Sequence, residues 1–311
     1  MRALLAAASA CMLFASPSFA GGGGWRPAPE APDARSEVAA TALGTRIAII
    51  GGFTADGGSS GRVDLLDTRN GNWSALPDLP LQVNHPMAAN DGRRIYVAGG
   101  YIGQGRISRR AFVLEPGARA WRELPRMPGP RAAAGAAMVG GRLYVVAGVK
   151  GGTKRLADLM LVYDPTSRRW RALPGPTPRE HLGVTALRDR IYVLAGRTAG
   201  FDTNRRTAEV YDPARSRWAR LPDLPAPCGG CAAAAAGDLI VVVGGEAESG
   251  TLPRVHAYDT RTGRWRRLAD SPLPRHGLGV AAVGKRLYSL AGGPTPGLSV
   301  STTALSLWCG G

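Results

Sequence analysis

The sequence has few of the residues from which metal sites, redox centres and membrane spans are built. It contains four histidines and four cysteines among 311 residues, and only three of its 39 basic residues are lysine. No second Cys-x-x-Cys and no histidine pair accompanies Cys228 and Cys231, so the usual zinc-binding pattern is missing. After residue 20 no eighteen apolar residues follow one another. The sequence therefore predicts no metal, no cofactor and no transmembrane segment.

Sequence signatures of common enzymes are also missing. No glycine-rich loop follows a strand and opens a helix, which is the arrangement that cradles phosphate groups. No serine lies in a nucleophile elbow. The glycine pairs of this chain are instead typical of tight turns, and 43 glycines with 24 prolines favour many turns over long helices.

The first twenty residues have the composition of an export signal. Arg2 is a short positive region, Leu4 to Ala15 is an apolar stretch, and residues 18–20 fit the small-x-small cleavage rule. A membrane anchor, a frayed cytosolic terminus and a lipoprotein cleavage before Cys11 are the alternatives. We predict that this signal is removed and that the protein is periplasmic or secreted.

The chain is strongly basic, with a net charge of +16 that falls to +15 when Arg2 leaves with the signal. Its arginines are spread along the whole chain and do not form one tract with stacking aromatics between them. We therefore predict no nucleic-acid partner. A general attraction for anions remains open.

Internal repeats decide the fold. An apolar run ending in glycine recurs six times, and we place the second position of the glycine pair at residues 52, 100, 149, 197, 245 and 293. A tryptophan keeps the same spacing, at Trp25, Trp73, Trp121, Trp170, Trp218 and Trp265. Two markers in phase indicate six equivalent units of about 48 residues.

Each unit has the pattern of four strands. A small-residue strand comes first, the apolar run is second, a Tyr-Asp strand is third, and the tryptophan begins the fourth. Ala232–Ala236 has helical propensity by composition, but its register places it among the first strands. Six four-stranded units predict an all-β, six-bladed β-propeller.

The two ends of the chain indicate how the ring closes. The last unit stops at Gly311 without a tryptophan strand, whereas Trp25 stands in an unpartnered segment at the other end. We predict that the N-terminal strand completes the last blade, which hides two sheet edges at once. Residues 21–311 then form one propeller domain, and a linear solenoid is the alternative.

These units resemble the kelch repeat: a small-residue strand, an apolar strand ending in Gly-Gly, Tyr-Asp, and a tryptophan about seven residues later. The resemblance covers residues 25–311. Val149 and Arg197 are taken to replace the second glycine in two units. Kelch propellers serve many functions, so the resemblance implies a fold and not an activity.

If the strands run as in kelch propellers, polar residues at the start of the first strands share one face with the loops that join second and third strands. The strand starts supply Arg35, Asn84, His85, Arg131, Arg179, Glu180, His181, Arg275 and His276. The loops supply Arg106, Arg109, Arg110, Lys150, Lys154, Arg155, Arg205 and Arg206, with Asp202, Glu246 and Glu248 as acidic neighbours.

This face predicts an anion-attracting mouth above the central channel, where arginine forks suit a carboxylate or a phosphate. The alternative is that the arginines solvate a rim or pair with carboxylates of neighbouring blades. Glu180 and His181 are the best acid–base candidates, although adjacent strand residues point to opposite faces.

The cysteines of the mature chain have different roles. Cys228 and Cys231 are separated by two glycines, and an oxidising compartment favours a local disulfide between them. A thioredoxin-like redox pair is disfavoured, because no helix is expected to begin there and stabilise a thiolate. We expect Cys309 to be a lone buried thiol.

The functional prediction is a monomeric, exported binding module that holds a protein, a glycan or an acidic small molecule at the loop face. The alternative is a carbohydrate-active enzyme, since the chain is similar in size and export to bacterial six-bladed kelch mutarotases that epimerise sialic acid. Copper-radical sugar oxidases are also exported kelch propellers, but no residues here match their copper motif. Whether any reaction is catalysed stays open at this point.

Overall fold

The computed structural model describes residues 24–103, 105–151 and 155–310. The predicted export signal and Lys154 lie outside the described residues. Six four-stranded antiparallel sheets are arranged as blades around an axis, as the repeats predict. Among the described residues, helical structure is limited to the short turn Phe201–Thr203, and no helix is long and apolar enough to cross a membrane.

Blades 1 to 6 are numbered in chain order, and each has an inner, a second, a third and an outer strand. The inner strands are Ala39–Leu43, Met87–Asn90, Gly135–Val139, Gly183–Leu187, Gly229–Ala236 and Gly279–Val283. The second strands are Arg46–Ile50, Ile95–Ala98, Arg142–Val146, Arg190–Leu194, Leu239–Ala247 and Arg286–Leu290. The third strands are Val63–Asp67, Ala111–Leu114, Leu159–Asp164, Ala208–Asp212, His256–Asp259 and Ala304–Trp308.

The outer strands of blades 1 to 5 are Trp73–Ala75, Arg122–Glu123, Arg169–Pro174, Arg217–Arg220 and Arg264–Arg267. Two small additions lie in the loops: a hairpin of Tyr101–Ile102 with Arg106–Ile107, and a short strand Gly250–Thr251 that pairs with the second strand of blade 5. The alanine-rich segment 232–236 is part of an inner strand, so its register overrides its helical propensity.

The first strand of the chain closes the ring. Trp25–Pro27 is the outer strand of blade 6 and pairs antiparallel with Ala304–Trp308, with Trp25 opposite Leu307. The inner strands also contact one another around the full circle, including the pair from blades 6 and 1. The predicted closure is confirmed, and the linear solenoid is excluded.

A tryptophan joins each blade to the one before it. The indole N–H of Trp73 donates to the carbonyl oxygen of Pro29 at 3.1 Å, and that of Trp121 donates to Pro77 at 2.7 Å. The same bond recurs in the remaining blades, from Trp170, Trp218 and Trp265 to a proline carbonyl and from Trp25 to the carbonyl of Ala269. The repeated tryptophans therefore combine apolar packing with one directional bond per interface.

The structure corrects the register of the glycine pairs. The residue that carries φ between +82° and +113° is Gly52, Gly100, Gly148, Gly196, Gly245 or Gly292. In each blade the N–H of this glycine donates to a carbonyl of the following blade, such as Gly148 to Arg179 at 2.8 Å. Alanine thus replaces the first glycine in blades 3, 4 and 6. Val149 and Arg197 follow the pair and do not replace its second member.

Small residues line the axis because the inner strands approach one another closely. A Cβ atom at Gly183 would lie 2.7 Å from the Cβ of Ala233 in the next blade. Two cavities of about 120 and 290 Å³ follow one another along the axis, lined mainly by alanine, valine and glycine. The channel is therefore narrow and lined mainly by small side chains, and the ionisable side chains Glu37, His85 and His181 line only the smaller cavity.

Replacement of Trp25 by alanine is expected to lower the free energy of unfolding by about 3–5 kcal/mol, because it empties a buried site and removes the bond to Ala269. Trp308→Ala is the control, since Trp308 is 49% exposed. That variant is expected to cost less than about 1 kcal/mol. Urea unfolding measures both. Equal losses in the two variants would contradict closure by the first strand.

Candidate functional site

One residue of each blade has a left-handed backbone at the end of the channel where the inner strands begin. These residues, which we name the axial belt, are Glu37, His85, Ala133, His181, Gly230 and Gly277, with φ between +49° and +71°. The N–H of each later member donates to the carbonyl of the member before it, at 2.9 to 3.4 Å, and Gly277 accepts from Val38 at 3.3 Å. The belt is a closed circle of hydrogen bonds, and all six members line the smaller axial cavity.

The side chains of the belt meet on one side of the axis. His85 Nε2 lies 2.9 Å from His181 Nε2 and 3.1 Å from Glu37 Oε2. The two imidazole rings are edge-on, with centroids 4.8 Å apart. Asn84 fixes the other nitrogen of His85, since its Oδ1 lies 2.6 Å from Nδ1.

Further charged groups continue from this pair around the mouth. Arg197 donates to Glu246 at 2.8 Å and to Glu180 at 3.3 Å. His276 Nδ1 lies 3.1 Å from Glu37 Oε1 and 3.5 Å from Glu246 Oε2. We name the seven residues Glu37, His85, Glu180, His181, Arg197, Glu246 and His276 the axial cluster.

Burial and neighbouring charge set the protonation of the cluster. Burial lowers the pKa of His85 to about 4, so this imidazole is neutral near pH 7. Burial opposes ionisation of Glu37. The electrostatic interaction with His85, the hydrogen bond from His276 and the electrostatic interaction with His181 outweigh burial and hold the pKa of Glu37 well below the ordinary range. Burial also disfavours a charged His276, yet the bond to Glu37 and the nearby carboxylates raise its pKa.

The axial cluster is acidic rather than basic. It contains three carboxylates and one guanidinium, and the pKa of Glu180 is also lowered, since His181 and Arg197 outweigh the effect of its burial. The predicted anion-attracting mouth therefore does not follow from the side chains at the axis. An anion at this position would need a cation besides Arg197, whose guanidinium is already bonded to two carboxylates.

Four arginines that were predicted to face a ligand point into the blades instead. Arg35, Arg131, Arg179 and Arg275 are at most 3% exposed. Arg179 donates to the carbonyls of Ala195 and Val193 and pairs with Glu209 at 2.5 Å.

The other three arginines are bonded in a similar way. Arg35 bonds to the Gly51 carbonyl and pairs with Asp64, Arg131 donates to the Leu159 carbonyl, and Arg275 to the carbonyls of Ala291 and Ser289. These guanidinium groups cap backbone oxygens inside their own blades, so they do not line the mouth.

The basic residues of the outer loops remain on the surface. Arg106, Arg109, Arg155, Arg205 and Arg206 are exposed, and Arg110 and Lys150 are half-buried. Arg110 pairs with Glu123, and Lys150 pairs with Asp158. The acidic Asp202 and Glu248 are exposed as well, whereas Glu246 is buried in the axial cluster.

Aromatic rings border the mouth. Phe53 and Tyr101 are half-buried and stand edge-on to His85, with centroid distances of 5.7 and 5.3 Å. Burial, together with Glu180 and Glu37, raises the pKa of Tyr101 to about 12, so its phenol is neutral. On the other side, the guanidinium of Arg197 lies 5.0 Å from the ring centroid of Phe201.

The three described cysteines are buried. The Sγ atoms of Cys228 and Cys231 are 2.9 Å apart as thiols, and the pKa of Cys228 is raised by this contact and by burial. The disulfide between them stays a prediction. The short distance between the two sulfurs is compatible with it. Cys309 packs in the apolar core between blades 5 and 6, where burial raises its pKa to about 11.

The structure brings together five of the residues that the sequence placed on this face, His85, Glu180, His181, Glu246 and His276. It adds Glu37 and Arg197, which sequence reasoning did not select. The signal for Glu37 is its spacing, because Glu37, His85, Ala133 and His181 follow one another at intervals of 48 residues. Arg197 has no such signal, since its counterparts in the other blades include Phe53, Tyr101 and Val149.

Six four-stranded blades with a tryptophan at each interface define a kelch-type β-propeller. The family model described as the KLHDC2/KLHL20/DRC7 Kelch-repeats domain matches residues 25–175 and 85–293. The chain therefore belongs to the kelch-repeat family, as its repeats indicate.

The comparison with solved structures adds support for the fold alone. A solved structure described as "Structure of YjhT" is similar with a TM-score of 0.77 and 16% identity, over 89% of this chain and 95% of that chain. No curated protein matches the sequence. The chemistry of the axial cluster has therefore to be argued from its own residues.

Replacement of Arg179 by methionine is expected to lower the free energy of unfolding by about 3–5 kcal/mol, because Glu209 and two carbonyls lose their donor inside the blade. The matched control is Arg205→Met, since Arg205 is exposed and is expected to change stability by less than about 1 kcal/mol. Urea unfolding compares the two variants. An Arg179→Met protein as stable as the control would contradict the capping role.

Proposed function

We propose that this kelch propeller is an exported binding module that holds a small, hydroxyl-rich ligand, such as a sugar unit of a glycan, at the axial mouth. The observation that carries the proposal is the axial cluster itself, in which carboxylates, imidazoles and a guanidinium converge beside aromatic rings. The kelch-repeat fold supports a binding role in general, because loops on a rigid scaffold are where such folds bind partners.

The chemistry of the mouth suits a sugar ring. Hydroxyl groups both donate and accept hydrogen bonds, and Glu37, Glu180 and His181 offer acceptors and donors at about 10% exposure of their side chains. Phe53 and Tyr101 supply apolar ring surface next to these polar groups. A few fixed polar groups beside aromatic surface are typical of small-molecule sites.

The ligand is expected to sit above the axial belt and not to thread the channel. The cavity directly below the belt has a volume of about 120 Å³, and pockets for drug-sized ligands are usually larger than about 300 Å³. Residues of the loops, among them the paired strands Tyr101–Ile102 and Arg106–Ile107 and the turn Phe201–Thr203, then form the walls of the site.

A second candidate function is a sugar mutarotase or epimerase. The observation that favours it is the contact of two imidazoles at 2.9 Å, beside Glu37 and Glu180, because proton transfer needs an acid and a base within hydrogen-bond reach. In this alternative His85, which is neutral at pH 7, accepts a proton and the N–H of His181 returns one.

Saturation-transfer NMR with neutral, amino and acidic sugars tests both candidates in one series of spectra. At least one sugar class is expected to show transfer, and Tyr101→Ala with Phe53→Ala is expected to weaken binding at least about tenfold, because stacking area is lost. Trp308→Ala is the control. Trp308 is an exposed aromatic residue in blade 6, and it ends the third strand that begins at Ala304.

No transfer from any sugar class, or equal transfer in the aromatic variant and wild type, would overturn the binding proposal. Anomeric exchange is read from the same samples. Acceleration that disappears in His85→Ala would favour the mutarotase, and unchanged exchange at excess protein would remove it.

Export is part of the proposal and rests on the composition of residues 1–20 and on the cysteine pair. Expressed from its full sequence in a bacterium, the protein is expected in the periplasm or medium with Gly21 as its first residue. Intact mass should fall two hydrogen masses below that of the fully reduced chain, and Cys228→Ser should abolish this difference. A cytoplasmic chain that retains Met1 would contradict export, and three alkylatable thiols would contradict the disulfide.

A further inference from the structure

We propose that Glu37, His85 and His181 bind one divalent transition-metal ion, with Zn²⁺ as the preferred ion. Their ligand atoms all lie within 4.8 Å of one another, and the two contacts of His85 Nε2 are 2.9 Å to His181 and 3.1 Å to Glu37. In a tetrahedral zinc site with bonds of about 2.1 Å, ligand atoms are roughly 3.4 Å apart. The two contacts of His85 Nε2 would have to lengthen by a few tenths of an ångström to admit the ion.

Hydrogen bonds around His85 fix which of its nitrogens is bare. The amide nitrogen of Asn84 donates to Ser59 Oγ at 2.8 Å, so the amide oxygen of Asn84 faces His85. His85 Nδ1 must then carry the proton that it donates to this oxygen. In the neutral ring, Nε2 is left with its lone pair directed at Glu37 and His181.

The number of protons is too small for these contacts. A carboxylate oxygen of Glu37 and the bare Nε2 of His85 are both acceptors, and they lie only 3.1 Å apart. His181 Nε2 can supply one proton, which serves one contact and leaves the other as two facing lone pairs. A metal ion satisfies all three ligand atoms at once.

The second imidazole has the surroundings of a metal ligand as well. His181 Nδ1 is buried without a hydrogen-bond partner, although Glu180 Oε2 lies 3.2 Å away. A small rotation of the ring gives Nδ1–H a carboxylate to donate to, and histidines that bind metals commonly have such a partner. Both histidine side chains are nine-tenths buried, so the outer contacts can hold them in place.

A neighbouring group of three, Glu37, Glu246 and His276, fits an ion less well. His276 Nδ1 contacts Glu37 Oε1, and the two oxygens of Glu246 accept from Arg197 and from the N–H of Gly297. Both carboxylate oxygens of Glu246 therefore already accept hydrogen bonds. The first group also has only three protein ligands, which leaves a fourth position for an exogenous oxygen atom.

The chain itself shows that the ligands can be removed without loss of the fold. Ala133 occupies the equivalent position of blade 3 with φ +49°, almost the same as His85 and His181. His85→Ala and His181→Ala therefore copy a natural blade of this propeller. His256→Asn is the control, because His256 lies in the third strand of blade 5 and is outside the axial cluster.

The experiment uses the mature chain without a polyhistidine tag, treated with chelator and titrated with ZnCl₂ in a calorimeter. We expect one ion per chain for wild type and His256→Asn, and an affinity at least about 100-fold lower for His85→Ala and His181→Ala. The visible absorption of bound Co²⁺ should disappear in the same two variants. No sugar is present, so failure of the glycan proposal does not affect the result.

Three results would overturn the proposal: no binding of Zn²⁺ or Co²⁺ by wild type, equal affinity in the alanine variants, or loss of binding in His276→Asn with retention in His85→Ala. The last result would move the ion to the neighbouring group. Circular dichroism of each variant verifies the fold, and a thermal shift with ZnCl₂ gives a second measure of binding.

Discussion

Each blade of this propeller passes a backbone hydrogen bond to the next through a residue with a left-handed backbone. The six bonds of the axial belt form a closed circle, and they require every inner strand to begin at the same height along the axis. Left-handed geometry is unfavourable for residues other than glycine by roughly 1 kcal/mol or more, yet Glu37, His85, Ala133 and His181 adopt it. The circle of bonds therefore over-determines a conformation that these residues would avoid in isolation.

The axial belt determines where functional side chains can lie. Its side chains converge on the axis, and Glu37, His85 and His181 bring the belt into the axial cluster. Blades 5 and 6 contribute Gly230 and Gly277, where a Cβ atom would meet Glu246 and Glu37, and blade 3 contributes Ala133 between the two blades that carry imidazoles. The carboxylate of Glu37 and the imidazole of His181 both lie within hydrogen-bond distance of His85 Nε2.

A second circle of bonds explains the buried arginines. The glycine N–H groups that point to the next blade include those that donate to the backbone carbonyls of Arg179 and Arg275, and the carbonyls of Ala195 and Ala291 follow the ends of the second strands. Arg179 and Arg275 donate to these carbonyls from within their own blades. Because each guanidinium offers five donors in a fixed fork, arginine suits this role better than lysine. The scarcity of lysine in the chain agrees with such use.

The fold was predictable from sequence because two markers repeat in phase and the missing outer strand of the last unit matches a surplus strand at the other end. The site was predictable only in part. The face was found from strand direction, and His85, Glu180, His181, Glu246 and His276 were selected by polarity. Polarity alone does not say where a side chain points, so Arg35, Arg131, Arg179 and Arg275 were assigned to the mouth, although they turn inward. Ala147 and Ala195 occupy the first position of their glycine pairs, so the sequence analysis placed these pairs one residue too late.

The sign of charge at the axis connects the proposed ligand with the proposed ion. Three carboxylates and one guanidinium repel an anionic group, although the whole chain is strongly basic and attracts anions from a distance. A divalent ion bound by Glu37, His85 and His181 would bring two positive charges to the mouth, and its fourth position would accept a hydroxyl or carboxylate oxygen. Without the ion, neutral sugars are the better match for this cluster. With it, acidic sugars become compatible with the same residues, so the choice between the two ligand classes depends on metal occupancy and not on the buried arginines.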